Sequence, residues 1–135
     1  MAIKGSGKVL VDTSAWIDYF RKKEPAHGVV SGLMSENRIC CVGIVLAELM
    51  QGAKSEKELD VIKDFVHVFE FLPENIQLWK QAGELSFSLR RSGAGIGLAD
   101  CFIATITAHY GVSLYTFDKD FTAVKESLHI DFHGW

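Results

Sequence analysis

Short β-compatible apolar runs alternate with helical stretches along this chain, and the first and fourth runs each end on or just before an acid. Val9-Leu10-Val11 ends on Asp12, and the run Val112 to Phe117 ends at Asp118. Alternation of this kind constrains the fold strongly. Parallel strands need crossover connections, and helices on both faces are what bury such a sheet.

Lys8 to Asp12 reads as the first strand, with Thr13 or Ser14 available to cap a helix that begins around Ala15-Trp16-Ile17. Pro25 opens a second helical stretch through about Ser35. Arg38 to Val42 reads as a second strand, and Gly43 to Gly52 as a helix ended by its glycine. Glu56 to Phe65 reads as another helix, and Val68 to Leu72 as a third strand stopped by Pro73. Ile76, Leu78, Trp79, Ala82, Leu85, Phe87 and Leu89 recur at mixed three- and four-residue intervals, which predicts a long amphipathic helix over Glu74 to Arg91. A glycine-rich turn, Gly93 to Gly97, leads into a helix from Leu98 to Tyr110. Val112 to Phe117 follows as a fourth strand, Lys119 to Ser127 as a short helix and His129 to Phe132 as an edge strand. The expectation is one α/β domain over residues 1–135, with a central, mainly parallel sheet of four or five strands and residues 1–7 as a loosely ordered extension.

A chain of 135 residues, 48% apolar and 23% charged, is long enough for a hydrophobic core and too apolar for disorder. The formal net charge of −3 does not advertise nucleic-acid binding. A carboxylate site would itself bias that count, so a local basic surface would have to hold any phosphodiester backbone. Cys40, Cys41 and Cys101 show no CxxC and no Cys/His metal spacing, which reads as buried thiols in a reducing compartment. The N-terminal residues lack a signal peptide's apolar core, and no apolar run approaches membrane-spanning length. A soluble, cytoplasmic protein with no membrane partner is expected.

Four acids lie in or directly after apolar runs, where an unpaired carboxylate is costly to desolvate: Asp12, Glu48, Asp100 and Asp118. Taken singly, each has an ordinary explanation. Asp12 could cap a helix, Asp100 sits in a first helical turn favoured by the macrodipole, and Asp118 could serve a turn beside Asp120. Glu48 is hardest to excuse, because Ile44, Val45, Leu46, Ala47, Leu49 and Met50 surround it on its helix. If the first and fourth strands are neighbours, their acids emerge together at the carboxyl edge of the sheet, where ligands of such folds bind. Clustered carboxylates repel, and a hard cation such as Mg²⁺ or Mn²⁺ relieves that repulsion. The chemistry such a site suggests is metal-assisted phosphodiester hydrolysis. The five histidines flank no nucleophile, and Gly93 to Gly97 is neither a Walker A loop nor a dinucleotide fingerprint, so covalent catalysis and nucleotide binding are disfavoured.

In this order and spacing the motifs resemble the PIN-domain ribonucleases, most closely the VapC-type toxins of toxin–antitoxin pairs, from Val9 to about Phe132. Val-Leu-Val-Asp-Thr-Ser-Ala-Trp-Ile matches the family's first-strand motif, with Asp12 as first metal acid and Ser14 or Thr13 as supporting hydroxyl. Val-Leu-Ala-Glu-Leu matches the helix glutamate at Glu48. Gly-Leu-Ala-Asp-Cys-Phe-Ile-Ala matches the late acid at Asp100, although Cys101 stands where a small or aromatic residue is usual. Leu-Tyr-Thr-Phe-Asp-Lys-Asp-Phe resembles the closing motif, with Asp118 as fourth acid and Thr116 and Asp120 as supporting neighbours.

The resemblance implies a three-layer α/β/α PIN-like domain and an RNA endonuclease dependent on Mg²⁺ or Mn²⁺. It also implies a homodimer held inactive, as a toxin–antitoxin hetero-oligomer, by a small cognate antitoxin of VapB type, with DNA contacted only through that partner. In such pairs the antitoxin's C-terminal segment lies along an apolar groove, for which Trp16, Phe20, Met50 and Trp79 are candidates, with ordinary core packing as the alternative. Arg90 and Arg91, which precede the Asp100 loop, are candidates for RNA phosphate contact, against a plain role as helix-end cations. A non-catalytic PIN-type binding or scaffolding module is the other reading. A haloacid-dehalogenase-like phosphatase is disfavoured because Ser14 stands where that fold needs a second acid.

Overall fold

The computed structural model describes residues 7–134. Five strands, β1 (Val9–Val11), β2 (Ile39–Cys41), β3 (Glu70–Phe71), β4 (Ser113–Tyr115) and β5 (Asp131–Phe132), form one sheet in the order β3-β2-β1-β4-β5. Every pairing in it is parallel. The order runs outward from β1 to β3 on one side and from β4 to β5 on the other, so the topological switch lies between β1 and β4. Val9, Leu10 and Val11 are fully buried, as expected of a central strand covered on both faces.

The helices are α1 (Thr13–Phe20), α2 (Ala26–Ser35), α3 (Gly43–Gln51), α4 (Glu56–Lys63), α5 (Phe65–Val68), α6 (Ile76–Arg91) and α7 (Leu98–Tyr110), with a 3₁₀ turn over Lys119–Val124. Their main contacts fall into two sets. In one, α1 packs on α2 and α3, α3 on α4, and α4 on α5; in the other, α6 packs on α7, which also meets the 3₁₀ turn. These are the outer layers of an α/β/α fold. Trp79 of α6 stacks on Phe102 of α7 with ring centroids 3.7 Å apart. Trp16 of α1 is fully buried among Phe20, Phe65 and Phe69.

Several boundaries depart from the sequence expectation. The first helix starts at Thr13, not near Ala15, with Asp12 in the capping position but no side-chain cap bond. The hydroxyls of Thr13 and Ser14 are drawn to acids instead. The helix expected over Glu56 to Phe65 breaks at Asp64, and α5 takes Val68, the first residue assigned to the third strand. Only Glu70 and Phe71 then pair with β2, and Val68 is exposed. The long helix begins at Ile76 because Asn75 Oδ1 accepts from the Leu78 amide at 2.9 Å. At its far end α7 stops where Gly111 adopts φ 66°, a left-handed cap that glycine takes without a side-chain clash. The short helix after β4 is a 3₁₀ turn ending at Val124, and the edge strand shrinks to Asp131–Phe132. The loosely ordered extension expected at residues 1–7 lies, Gly7 apart, outside the described residues. Gly7 itself is tied down, its carbonyl accepting from Arg38 Nε at 2.9 Å.

Candidate functional site

Because β1 and β4 are hydrogen-bonded neighbours, the residues leaving their carboxyl ends meet at the switch point, where ligands of open parallel sheets bind. The Asp12 amide still donates to the Tyr115 carbonyl at 2.9 Å, which keeps the two chains together for one residue beyond β1. Asp12 is only 4% exposed, and a carboxylate so buried needs donors. Its Oδ2 accepts from Thr116 Oγ1 at 2.7 Å and from Ser14 Oγ at 3.1 Å. Ser14 Oγ in turn accepts from the Phe117 amide at 3.0 Å, and Thr116 Oγ1 from the Asp118 amide at 3.0 Å. One hydroxyl from each side of the switch point therefore holds both Asp12 and the chain that carries Asp118.

The other acids arrive on separate elements. Glu48 projects from α3, and its Oε1 accepts from Thr13 Oγ1 at 2.6 Å, which ties it to the first turn of α1. Asp118 sits at the start of the 3₁₀ turn, and its Oδ1 accepts from the Asp120 amide at 2.9 Å. The turn role open to it in the sequence is thus real, and it coexists with placement at the site. The Asp100 carboxylate, in the first turn of α7, has no hydrogen-bond or ion-pair partner among the described residues.

The electrostatics show that these groups share one environment. Burial pushes Asp100 up from an ordinary 3.8 to about 7, and the charges of Asp12, Asp118, Glu48 and Asp120 each add to that rise. Asp12 is also raised by burial, against the opposing bonds from Thr116, Thr13 and Ser14 and with a further push from Glu48. The cluster concentrates negative charge, and a hard divalent ion would offset it.

No three of these carboxylates are drawn into a closed ligand set among the described residues. An oxygen-only donor set of this kind nevertheless fits Mg²⁺ or Mn²⁺, because Mg²⁺ keeps most of its waters and takes one or two carboxylates directly. Closed all-protein cages belong to other metals.

A cleft of about 350 Å³ opens beside Glu48, lined by Ile17, Phe20, Leu49 and Ile62 together with Arg21, Lys54 and Glu58. Of the groove candidates, Phe20 lies here, whereas Trp16 is core, Met50 packs against the core, and Trp79 is committed to its stack on Phe102. Arg21 belongs to the basic run Arg21-Lys22-Lys23, but no sequence signal pointed to Lys54. Arg90 and Arg91 lie on the last turn of α6, apart from the acids, in a shallow hollow that reaches Leu98.

The PIN domain family model matches residues 9–127, and the chain belongs to that family. The chain is similar to Ribonuclease VapC11 of Mycobacterium tuberculosis, 27% identical over 121 residues, covering 86% of this chain and 90% of the relative. It is also similar to the tRNA(fMet)-specific endonuclease VapC of Salmonella typhimurium, 28% identical over 113 residues, covering 81% and 85%. Among solved structures, DNA-bound VapBC from Salmonella typhimurium matches with a TM-score of 0.72 and 28% identity, over 93% of this chain and 96% of that one. VapBC2 from Rickettsia felis, bound to a promoter fragment, matches with a TM-score of 0.73 at 22% identity, over 94% and 98%, a likeness of fold.

Proposed function

We propose that this chain is a divalent-metal-dependent endoribonuclease of VapC type, the toxin of a toxin–antitoxin pair. The observation that carries the reading is Asp100, a half-buried carboxylate with no donor that sits in the field of four other acids at the sheet's switch point. The names of the relatives, ribonucleases and a tRNA endonuclease, support RNA as the substrate.

In this reading Asp12, Glu48, Asp100 and Asp118 hold Mg²⁺ or Mn²⁺. When bound, the cation supplies charge stabilisation at the phosphoryl oxygens and an acidified water for attack on phosphorus. The protein's own part is positioning. Ser14 and Thr116 fix one face of the Asp12 carboxylate, and Thr13 fixes Glu48. The Asp120 amide fixes Asp118, while the Asp120 carboxylate adds to the negative field. Arg90 and Arg91 contact the RNA backbone.

Regulation follows from the cleft beside Glu48. Its apolar walls suit a segment of a small antitoxin of VapB type, and the VapBC complexes that resemble this chain support such a partner. A homodimer joined to the antitoxin in a hetero-oligomer, with DNA contacted only through the antitoxin, agrees with the net charge of −3. A single domain spanning residues 1–135 and action in the cytoplasm complete the proposal.

The test is cleavage of total RNA by the purified chain in Mg²⁺ or Mn²⁺, in chelator, and after co-purification with the antitoxin. Cutting that needs the metal and falls when the antitoxin is bound supports the reading. Cutting undiminished by chelator overturns the mechanism. Metal binding without turnover on any RNA favours the non-catalytic module.

A further inference from the structure

Resting on the ribonuclease reading, we infer that Phe87, Arg90 and Arg91 form a single-stranded RNA subsite, in which Phe87 stacks a base flanking the scissile bond and the arginines hold its phosphates. The three residues are spaced by three and four along α6 and so share one face. Phe87 is 63% exposed, large for an aromatic side chain on the surface. The Arg91 guanidinium lies 5.4 Å from the centre of its ring. Neither arginine has a carboxylate partner among the described residues, although Glu84 lines the adjoining hollow.

The hollow they line, about 500 Å³, is completed by Gly83, Ser86 and Leu98. Leu98 is 53% exposed and stands two residues before Asp100 on α7. The subsite therefore lies on the flank of the same helix that carries a site acid, and the full width of a helix is about 10–12 Å. A strand of a few nucleotides spans that distance. Around the acids the chain repels phosphate, whereas this hollow presents two guanidinium groups without a carboxylate partner among the described residues.

An exposed aromatic ring beside arginines that hold no carboxylate is what base stacking with backbone capture requires, and stacking tolerates any base. A two-fold contact with a second copy centred here would set each arginine pair against its own image, an arrangement that opposes association.

The test uses the full chain carrying Asp12→Asn to prevent cutting, with a fluorescent twelve-nucleotide oligouridine as probe and anisotropy read across a salt series. Phe87→Leu is expected to weaken binding by about 5–50-fold, and Phe87→Trp to restore it. The double change Arg90→Gln with Arg91→Gln is expected to flatten the dependence of log K on log salt by about 0.7 for each phosphate no longer neutralised. Unchanged affinity in Phe87→Leu overturns the subsite. So does a loss that tracks dissociation of a dimer in sedimentation velocity, which would make this face a protein interface. Cleavage by the otherwise native chain is followed in parallel. Metal-dependent cutting with Phe87→Leu binding unchanged removes the subsite alone, whereas neither cutting nor oligouridine binding removes the ribonuclease reading with it.

Discussion

Thr116 Oγ1 donates to Asp12 Oδ2 at 2.7 Å, joining residues 104 apart in sequence across the β1–β4 boundary. The same hydroxyl accepts from the Asp118 amide, so one side chain sets the positions of two site acids. Replacing it with the isosteric Thr116→Val leaves Asp12 buried with one fewer donor. The expected result is a 10–100-fold fall in metal affinity or cleavage rate, the size typical of groups that orient metal ligands. Calorimetric Mn²⁺ titration measures it, with circular dichroism as the check on folding.

Thr13 makes the corresponding bond to Glu48 at 2.6 Å. Thr13→Val frees the Glu48 side chain in a partly open cleft, where it can turn to solvent. Metal affinity is expected to fall by roughly tenfold. Thermal stability should change by no more than about 1 kcal/mol, because both groups remain hydratable. A variant that binds Mn²⁺ as tightly as the parent contradicts a positioning role for Thr13.

Asp100 gives the metal-free protein a pH dependence of stability. Its carboxyl has an ordinary value of 3.8 and is raised to about 7 in the fold, so between those values the folded state holds a proton that the unfolded state has lost. Stability from this group is thus greatest below pH 4 and declines as pH rises towards 7. The carboxyl is half-exposed, and solvent screening limits the effect to on the order of 1–2 kcal/mol. Asp100→Asn is expected to remove that component and to raise the melting temperature at pH 8 in chelator. Excess Mg²⁺ should stabilise the parent at pH 8 and the variant much less, as thermal melts at several pH values will show.

Trp79 stacks face to face on Phe102 between α6 and α7 and lies away from the cleft beside Glu48. Trp79→Ala is expected to cost about 2–4 kcal/mol of stability by urea unfolding. Antitoxin affinity, measured below the unfolding transition, should be unchanged. Phe20→Ser, which alters a wall of the cleft, should weaken that affinity.

Much of this arrangement is legible in the sequence, for reasons specific to particular residues. Asp12 and Asp118 stand out because a carboxylate closes an apolar, β-compatible run, although β4 itself ends three residues earlier, at Tyr115. Glu48 stands out because its helix is apolar in nearly every direction. The hydroxyl wiring is not legible, since Thr13 and Ser14 read equally well as helix caps and only the tertiary fold brings Glu48 and Thr116 to them. The break at Asp64 is hidden because Phe65, Val66, Val68 and Phe69 suit either a helix or a strand. Trp79 looks like a groove residue until Phe102 is seen lying 3.7 Å away, a pairing that no local period encodes. Lys54 gives no signal at all, being one lysine in the short turn between α3 and α4.

The most direct measurement of the central claim is the rate of RNA cleavage in Mg²⁺ or Mn²⁺ by the native chain and by Asp12→Asn, each shown to be folded. Asp12 is the acid with the most donors devoted to it, and its amide variant keeps its size while removing the charge. The expected result is metal-dependent cutting by the native chain and a loss of at least about a hundredfold in the variant, equivalent to roughly 2.7 kcal/mol of transition-state stabilisation. Equal cleavage by the two proteins would contradict a metal-dependent nuclease built on these four carboxylates.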